Sequence, residues 1–429
     1  MSKQKVELLS PAGNLEKLKI AIKYGADAVY GGVSHFSLRI RASKEFTYET
    51  FKEAIDYAHE RGKKVYATIN GFPFNSQIEL LKTHIKKMAE LKPDAFIVAA
   101  PGVVRLCREI APEIDIHLST QANVLNYLDA QVFWDMGVKR IVVAREISLK
   151  DVVEIKKHLP DMEIEIFVHG SMCFAYSGRC LVSAVQMGRV PNRGSCANDC
   201  RFEYTLYAAN EDHSTLFRLE EEPGVGTYIF NSKDMNLASH IKEILDSGAV
   251  DSLKIEGRTK SPYYAAVTAK AYRNAIDDYY TGTFEADKYQ RELFTTKNRG
   301  FTDAYLIHRP FEKTDSQNHD YALSKGSYEV TGLVTQDEEH FLCKYKVYPN
   351  EDIEIFTPMG EELVECENEI GKIFKKDGIY YINFKKILTE TNKELESVHS
   401  GNVNKIKLPG TLPYLTMFRV ENIDGTIVE

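Results

Sequence analysis

Four of the seven cysteines lie close together in the sequence, at Cys173, Cys180, Cys196 and Cys200, with the spacing C-x6-C-x15-C-x3-C. Four thiolates on one long loop suit an iron–sulfur cluster, which takes four cysteine ligands. Structural zinc sites usually pair ligands as C-x2–4-C, and only the last pair fits that pattern. A nucleophilic cysteine needs a base, and His169 stands four residues before Cys173, but that interpretation leaves three cysteines unexplained. The spacing favours a cluster and leaves zinc, a nucleophile and unreactive bystanders open.

The composition predicts a cytoplasmic protein of two or three domains. The chain has 429 residues, of which 43% are hydrophobic and 27% charged, as in ordinary globular proteins. No apolar run approaches the roughly 18 residues of a membrane helix, and the start, MSKQKVELLSPAG, lacks a signal-peptide core. Cytoplasmic thiols stay reduced, which argues against a disulfide framework. The remaining cysteines, Cys107, Cys343 and Cys366, are expected to be small buried hydrophobes.

Short aliphatic strands alternate with amphipathic segments over the first two thirds of the chain. In the segment YETFKEAIDYAHERG, for example, Phe51, Ile55 and Ala58 fall on one helical face. Such alternation indicates a parallel sheet, and eight strands indicate a (β/α)8 TIM-like barrel. A doubly wound open sheet is the alternative, but no G-x-G-x-x-G turn follows the first strand. The predicted strands are 6–10, 28–32, 64–70, 95–99, 116–121, 140–144, 164–170 and 252–257.

The predicted barrel occupies residues 1–285 and carries one long insertion. This insertion, about 171–234, is called the cysteine segment below and contains a predicted β-hairpin within 201–232. Long insertions at the carboxyl ends of barrel strands are usually functional. A connecting segment, 286–327, then leads to a small, barrel-like, all-β domain at 328–429, where short β-like runs alternate with turns.

Polar residues alternate with aliphatic ones along four of the predicted strands. Barrel enzymes place their chemistry at the carboxyl ends of the strands, and alternation should direct these polar side chains into the lumen. Buried charges are costly unless paired or solvated, so a satisfied polar network is the alternative to a site. The predicted lumen residues are Tyr66, Thr68, Asn70, His117, Ser119, Gln121, Asn123, Glu165, Phe167, His169, Lys254, Glu256 and Arg258.

The start of the cysteine segment carries a family resemblance. EIFVHGSMCFAYSGRCLVS, residues 165–183, resembles the signature of the collagenase-like peptidases of family U-32. The matching fixed positions are Glu165, Phe167, Gly170, Ser171, Cys173, Gly178, Cys180 and Ser183. The opening ELLSPAGNLEKLKIAIKYGADAVYGG and the motifs NSKDM (231–235), KIEGR (254–258) and NRGFT (298–302) also resemble the family. The similarity spans nearly the whole chain.

The resemblance implies RNA or small-molecule hydroxylation rather than proteolysis. Characterised branches of the family hydroxylate RNA or an aromatic precursor without oxygen, and their four cysteines hold a 4Fe-4S cluster. The length, with one C-terminal β domain, is most similar to the transfer-RNA branch, which forms wobble 5-hydroxyuridine with prephenate as hydroxyl donor. A collagenase-like peptidase, a related hydroxylase with another substrate, and a scaffold using zinc to hold a loop stay open. The sequence has no H-E-x-x-H or G-x-S-x-G motif for a peptidase.

This chemistry suggests a role for each candidate residue. A dicarboxylate such as prephenate needs cations, preferably with fork geometry, and a flipped uridine needs stacking and amide contacts. The segment RVPNRGSCANDCR, 189–201, is a local basic patch that suits the phosphates of a tRNA anticodon loop, although the net charge of the chain is −8. A solvated loop is the alternative for that patch. The expected catalytic residues are Glu165, His169 and Glu256; the expected carboxylate-binding residues are Arg39, Arg41, Arg145, Lys254 and Arg258; and the expected nucleobase contacts are Tyr66, Asn70, Gln121 and Asn123.

Overall fold

The computed structural model divides the chain into two compact units. The first comprises Met1–Ile22, Ala26–Gln290 and Asn298–Ser324, and the second Lys23–Gly25, Arg291–Lys297 and Lys325–Glu429. The structure describes residues 5–33, 36–37, 46–173, 175–176, 179–189, 196–202, 204, 206–209, 216–219, 231–307, 316–318 and 326–422.

Eight parallel strands of the first unit close into a barrel. The strands of this unit are β1 (Glu7–Pro11), β2 (Ala28–Gly31), β3 (Lys64–Ile69), β4 (Ala95–Val98), β5 (Asp115–Leu118), β6 (Arg140–Val142), β7 (Glu163–Ser171), β8 (Leu206–Ala209), β9 (Leu216–Leu219), β10 (Asp234–Asn236), β11 (Ser252–Ile255) and β12 (Phe301–Thr302). Strands β1 to β7 pair in sequence order, and β11 pairs in parallel with both β1 and β7, which closes the barrel. The predicted (β/α)8 architecture is confirmed.

Helices follow the barrel strands and bury one face each. The helices of the described chain are α1 (Leu15–Lys23), α2 (Tyr48–His59), α3 (Ile78–Glu90), α4 (Pro101–Ile110), α5 (Tyr127–Asp135), α6 (Leu149–His158), α7 (Val182–Met187), α8 (Ile241–Asp246), α9 (Pro262–Thr281) and α10 (Ala286–Phe294). In α2 the expected face, Phe51, Ile55 and Ala58, is buried. The hydroxyl of Thr47 accepts a hydrogen bond from the backbone N–H of Thr50 and so caps the start of α2. None of the described helices is long and apolar enough to cross a bilayer.

Strand β7 is the longest of the barrel and continues past its rim. The last residues of β7 pair antiparallel with β10, so that Ser171 lies opposite Asp234, and β10 pairs in parallel with β12. Strands β8 and β9 form the predicted hairpin of the cysteine segment. Within the predicted connecting segment, 286–327, the described residues include α10 and β12.

The β7–β11 ladder contains a register shift. Lys254 lies opposite Phe167, but the next residue, Ile255, lies opposite His169. One extra residue in β7 reverses the face of every side chain that follows it. The alternation predicted from Glu165 to His169 is therefore wrong at His169, which shares the outward face of Ile255.

The second unit is a curled antiparallel sheet. Its strands are β13 (Tyr328–Val334), β14 (His340–Cys343), β15 (Asp352–Phe356), β16 (Cys366–Glu367), β17 (Gly371–Lys376), β18 (Ile379–Phe384), β19 (Ile387–Leu388), β20 (Glu394–Leu395), β21 (Ile406–Lys407) and β22 (Met417–Glu421). Eight of them form one sheet in the order β16-β17-β18-β15-β22-β13-β14-β21. Phe341, Phe384 and Phe418 are fully buried at its centre. The predicted small all-β domain is confirmed.

Candidate functional site

A network of charges fills the barrel lumen at the amino ends of the strands. Arg140 donates hydrogen bonds to Glu7 (2.5 Å), Glu163 (2.8 Å) and Glu165 (3.1 Å). The Tyr66 hydroxyl donates to the second oxygen of Glu7 at 2.6 Å. Burial alone would lower the pKa of Arg140, but Glu7 and Glu165 raise it, so the guanidinium stays charged. We call these five residues the amino-end network. Sequence analysis missed Glu7 and Arg140, which begin their strands and show no alternation signal.

Tyr66 is bound inside this network and lies away from the carboxyl ends of the strands. It is 2% exposed, and its ring meets the edge of His117 at a centroid distance of 4.5 Å. Burial, aided by Arg140 and Lys254, lowers the pKa of His117 well below its usual value, so this imidazole is neutral. The prediction that Tyr66 stacks on a nucleobase is wrong, because the ring is buried between His117 and the guanidinium of Arg140.

Lys254 stands above the network as a buried cation. Its ammonium group donates to Glu165 at 2.7 Å and lies 4.5 Å from the ring centroid of Tyr30. Burial lowers the pKa of Lys254, although Glu165 opposes that shift. Burial would raise the pKa of Glu165, but Lys254 and Arg140 outweigh it and lower that pKa. Glu165, a predicted catalytic residue, is thus an ionised partner of two cations. The guanidinium of Arg145 lies 4.1 Å from the ring centroid of Phe167.

Arg258 lies at the carboxyl ends of the strands, which we call the mouth of the barrel. One guanidinium nitrogen donates to the hydroxyls of Ser37 (2.7 Å) and Thr68 (3.2 Å). These hydroxyls are themselves 2.7 Å apart. A side chain at Gly32 would place its Cβ 2.4 Å from Oγ1 of Thr68, so only glycine allows this packing. Arg258 is therefore held in a fixed orientation at the mouth, as a carboxylate-binding arginine requires.

Three predicted amide residues also lie at the mouth. Gln121 is 3% exposed, and its Nε2 has no hydrogen-bond partner among the described residues. The Nδ2 of Asn123 donates to the backbone oxygen of Gln121 at 2.9 Å, and Asn123 adopts a left-handed φ of 56°. Asn70 follows β3 and is half-buried. A buried donor without a partner is uncommon in folded proteins and often marks a ligand site.

His169 packs in the outer layer of the barrel. Its Nδ1 lies 3.3 Å from the hydroxyl of Tyr272, and its ring also packs against Tyr264 and Phe301. Burial, with help from Lys260, lowers the pKa of His169 to about 3. The imidazole is therefore neutral and a weak base. The sequence predicted His169 in the lumen, and the structure places it among the aromatic rings of the outer layer instead.

Glu256 lies next to the end of β7. One of its carboxylate oxygens accepts a hydrogen bond of 3.2 Å from the backbone N–H of Ser171. Gly170 has a φ of 133°, and a Cβ there would lie 2.5 Å from the Cβ of Glu256. This close packing joins the predicted catalytic Glu256 to the strand that leads into Cys173.

The cysteine segment folds around helix α7. The Ser183 hydroxyl accepts a hydrogen bond of 3.1 Å from the backbone N–H of Ala197, and Gln186 donates to the Tyr204 hydroxyl at 2.9 Å. The first bond fixes α7 against the residue that follows Cys196, and the second joins α7 to a residue that follows Cys200. The opposite face of α7 is exposed. The large exposed hydrophobic residues of the segment are Tyr176, Leu181, Val185, Met187, Phe202 and Tyr207.

The four cysteine thiols influence one another. Burial raises the pKa of Cys200, Arg201 lowers it, and the thiols of Cys173, Cys196 and Cys180 raise it further. In the described part of the chain, however, no three His, Cys, Asp or Glu side chains are arranged to hold a single metal ion. Zinc needs sulfurs within about 4 Å of each other, since each bond is about 2.3 Å. In a 4Fe-4S cluster each thiolate binds a different iron, which spreads the ligands apart. The donor set of four thiols fits the predicted 4Fe-4S cluster by its chemistry, and which group it holds, the cluster or zinc, stays a prediction.

Three of the predicted basic elements are described only partly or not at all. Arg39 and Arg41 lie outside the described residues. In the patch 189–201, the structure describes Arg189 and Arg201 but not residues 190–195. Arg201 donates to the backbone oxygen of Met172 at 3.4 Å, immediately before Cys173.

Comparison with known proteins assigns the family. Residues 13–316 match the model of peptidase family U32. The chain belongs to peptidase family U32. Two similar members of the family are tRNA hydroxylation protein P from Helicobacter pylori (strain ATCC 700392 / 26695), 64% identical over 97% of this chain and 99% of the relative, and tRNA hydroxylation protein P from Escherichia coli (strain K12), 39% identical over 86% and 90%. A Collagenase from Porphyromonas gingivalis (strain ATCC BAA-308 / W83) is 29% identical over 87% of this chain and 85% of the relative. The resemblance to this family is confirmed.

Proposed function

We propose that this protein is a tRNA hydroxylase that converts wobble uridine to 5-hydroxyuridine without oxygen. The observation that carries the proposal is the 64% identity, over 97% of this chain, to a tRNA hydroxylation protein P. The barrel supports it with a polar mouth that adjoins the cysteine segment, because Glu256 and Ser171 are hydrogen bonded to each other there.

The co-substrate is a small dicarboxylate, prephenate, bound in the mouth. Arg258 presents a guanidinium fixed by Ser37 and Thr68, and Lys254 supplies a second buried cation below it. Charge-assisted hydrogen bonds from a fixed guanidinium are strong and directional, so Arg258 would bind one carboxylate. Arg145, packed on Phe167, provides a third cation at the end of β6.

The uracil base is recognised by amide groups at the same mouth. The Nε2 of Gln121, which has no hydrogen-bond partner within the described ranges, is a donor suited to a uracil carbonyl. Asn123, whose own amide bonds to the backbone of Gln121, holds that loop in place. Reaching this depth requires the base to leave its stack, which costs least in a single-stranded loop such as the anticodon loop.

The reaction requires an electron acceptor. When prephenate loses its carboxylate as CO2 and its hydroxyl as hydroxide, it becomes aromatic without net oxidation. Replacing C5–H of uridine by C5–OH from that hydroxide then releases one proton and two electrons. Cys173, Cys180, Cys196 and Cys200 would hold a 4Fe-4S cluster, which when bound supplies one-electron transfer. An external one-electron carrier takes the electrons onward.

The outer surface of the cysteine segment suits the RNA. Arg179, Arg189 and Arg201 lie in this part of the chain, and Tyr176 and Phe202 are exposed nearby in the sequence. Arginines that contact phosphates, together with aromatic rings that stack on bases, are typical of surfaces that bind single-stranded RNA. This local surface can bind RNA although the whole chain carries a net charge of −8.

RNA mass spectrometry tests the proposal. Transfer RNA from a deletion strain without a redundant enzyme should lack wobble 5-hydroxyuridine. The wild-type gene should restore the nucleoside, and a Cys173→Ser gene should not. A Cys107→Ser gene is the matched control, because Cys107 is buried in α4 and far from the other cysteines in sequence. Unchanged 5-hydroxyuridine in the deletion strain would contradict the proposal.

The second candidate is a peptidase, which the relative named Collagenase favours. A cysteine peptidase here would pair Cys173 with His169. The ring of His169 is 1% exposed and its pKa is about 3, so it is poorly suited to take a proton from a thiol. Cleavage of collagen peptides by cluster-free protein, lost in a Cys173→Ser variant, would favour the peptidase over the hydroxylase.

A further inference from the structure

Three short polar motifs, distant in the sequence, meet where β7 ends. They are NSKDM (231–235), KIEGR (254–258) and NRGFT (298–302). Asp234 of the first motif pairs with Ser171 of β7 and with Phe301 of the third. Glu256 of the second motif accepts a hydrogen bond from the backbone of Ser171. All three motifs therefore converge two residues before Cys173, the first cysteine of the segment.

A buried ion pair between Asp234 and Arg299 lies at the centre of this convergence. The guanidinium of Arg299 contacts one carboxylate oxygen of Asp234, and the Arg299 backbone N–H donates to the other at 3.3 Å. The Arg299 side chain also donates to the backbone oxygen of Ser232 at 3.2 Å. Asn318 donates to the Arg299 backbone oxygen at 2.8 Å. Both members of the pair are 4% exposed. Buried ion pairs rarely add net stability, so this one calls for a functional reason.

The pair belongs to a chain of charges that reaches the thiols. Burial lowers the pKa of Arg299, Asp234 raises it, Arg201 lowers it, and Glu256 and, most weakly, Cys200 raise it. Arg201, next to Cys200, donates to the Met172 backbone beside Cys173. Asp234 and Arg299 are themselves buried, where screening by water and salt is weak, and their charges act from there on the partly exposed thiols of Cys180, Cys196 and Cys200.

We propose that Asp234 and Arg299 are positioning residues that set the reduction potential of the group held by the four cysteines. The inference rests on the cluster of the proposed function. Reduction adds negative charge to such a group, so a nearby cation favours the reduced state and a nearby anion favours the oxidised state. Arg299 therefore raises the reduction potential and Asp234 lowers it. With both present, the potential lies between the values expected with either residue alone.

A redox titration of anaerobically purified full-length protein tests this inference. Arg299→Gln should lower the midpoint potential, Asp234→Asn should raise it, and the double variant should return close to wild type. Loss of packing alone would not move the potential in opposite directions for two partners of one bond. Arg273→Gln is the matched control, because Arg273 is a buried arginine of the same unit that pairs with the partly exposed Asp27 at 2.7 Å, and the change should leave the potential unaltered.

Iron and sulfide content separates the possible failures. Shifts in the same direction, or no shift in variants that keep wild-type iron, would overturn this inference alone. Absence of iron and sulfide from the wild-type protein would overturn the cluster and this inference together. If Arg299→Gln loses its iron, Arg299→Lys keeps the charge and should retain both the iron and a potential near wild type; a potential lowered in Arg299→Lys as well would overturn the inference.

Discussion

Lys254 donates a hydrogen bond of 2.7 Å to Glu165 inside the barrel, and neither side chain is more than 5% exposed. Arg140 binds the same carboxylate at 3.1 Å. Glu165→Ala would remove the carboxylate that both Lys254 and Arg140 bind. Because buried cations without their anion are costly, we expect the change to lower the free energy of unfolding by about 3–5 kcal/mol. Urea denaturation followed by circular dichroism measures this loss.

Glu163→Ala is the matched control for that variant. Glu163 begins the same strand and also binds Arg140, but its side chain is 31% exposed. We expect a loss of about 1 kcal/mol, since water can replace much of this interaction. Equal losses for the two variants would contradict the central role of Glu165.

His169 should make stability depend on pH. Its pKa is about 3 in the folded protein because the ring is buried, whereas an unfolded histidine has a pKa of about 6.5. Between these values the unfolded chain binds the proton more readily. The contribution of His169 is therefore complete above about pH 6.5 and is lost, at about 1.4 kcal/mol per pH unit, as the pH falls towards 3.

A His169→Gln variant should lose less stability over that range. His117 is buried as well and keeps its own pH dependence in the variant, so the difference between the two proteins isolates His169. Urea denaturation at several pH values gives both slopes. Identical slopes would mean that His169 is already solvated in the folded protein.

Under the proposed function, Cys173→Ser should abolish the binding of iron and sulfide together with the visible absorption that a 4Fe-4S cluster gives. Four thiolates are needed for a stable cluster, and removing one leaves an iron without its ligand. Cys343→Ser, at a buried thiol of the β domain, should retain both. One zinc and no iron in the wild-type protein would instead mean that the cysteines hold a loop in place.

Arg258→Lys should weaken the binding of prephenate about 10- to 100-fold, because a lysine cannot replace a guanidinium fixed by two hydroxyls. The KM for prephenate in a tRNA hydroxylation assay measures this change, and binding of tRNA alone should be unaffected. Arg105→Lys, in an exposed pair with Glu109 on α4, should leave KM unchanged. An Arg258 variant with wild-type KM would show that another cation binds the carboxylate.

The barrel was predictable from sequence because its strands repeat one aliphatic pattern at regular spacing. The polar lumen was predictable too, since Glu165 and Lys254 alternate with aliphatic residues along their strands. The outward direction of the His169 side chain was not predictable, because the amino-acid composition of β7 does not reveal a single extra residue in the strand. Arg140 escaped notice as the first residue of a three-residue strand.

The convergence of three motifs at the end of β7 also lay beyond sequence reasoning. Strands β10 and β12 contain three and two residues, too few to show a period. Asp234 and Arg299 are 65 positions apart; Asp234 begins strand β10, and Arg299 lies between α10 and β12. Both residues lie in motifs that resemble the family, NSKDM and NRGFT, but the sequence does not show that the two motifs are in contact.

The amino-end network has a kinetic consequence. With Arg140, Glu7 and Tyr66 filling the lumen at the amino ends of the strands, ligands can enter and leave the barrel only through its mouth. Lys254 lies within strand β11, whereas Gln121 follows the end of β5, so under the proposed function a small molecule bound at Lys254 would lie deeper than a base bound at Gln121. The small molecule must then bind before the RNA, and its aromatic product can leave the barrel only after the RNA has dissociated. Steady-state kinetics should follow a compulsory order, with tRNA the second reactant to arrive and the first product to depart.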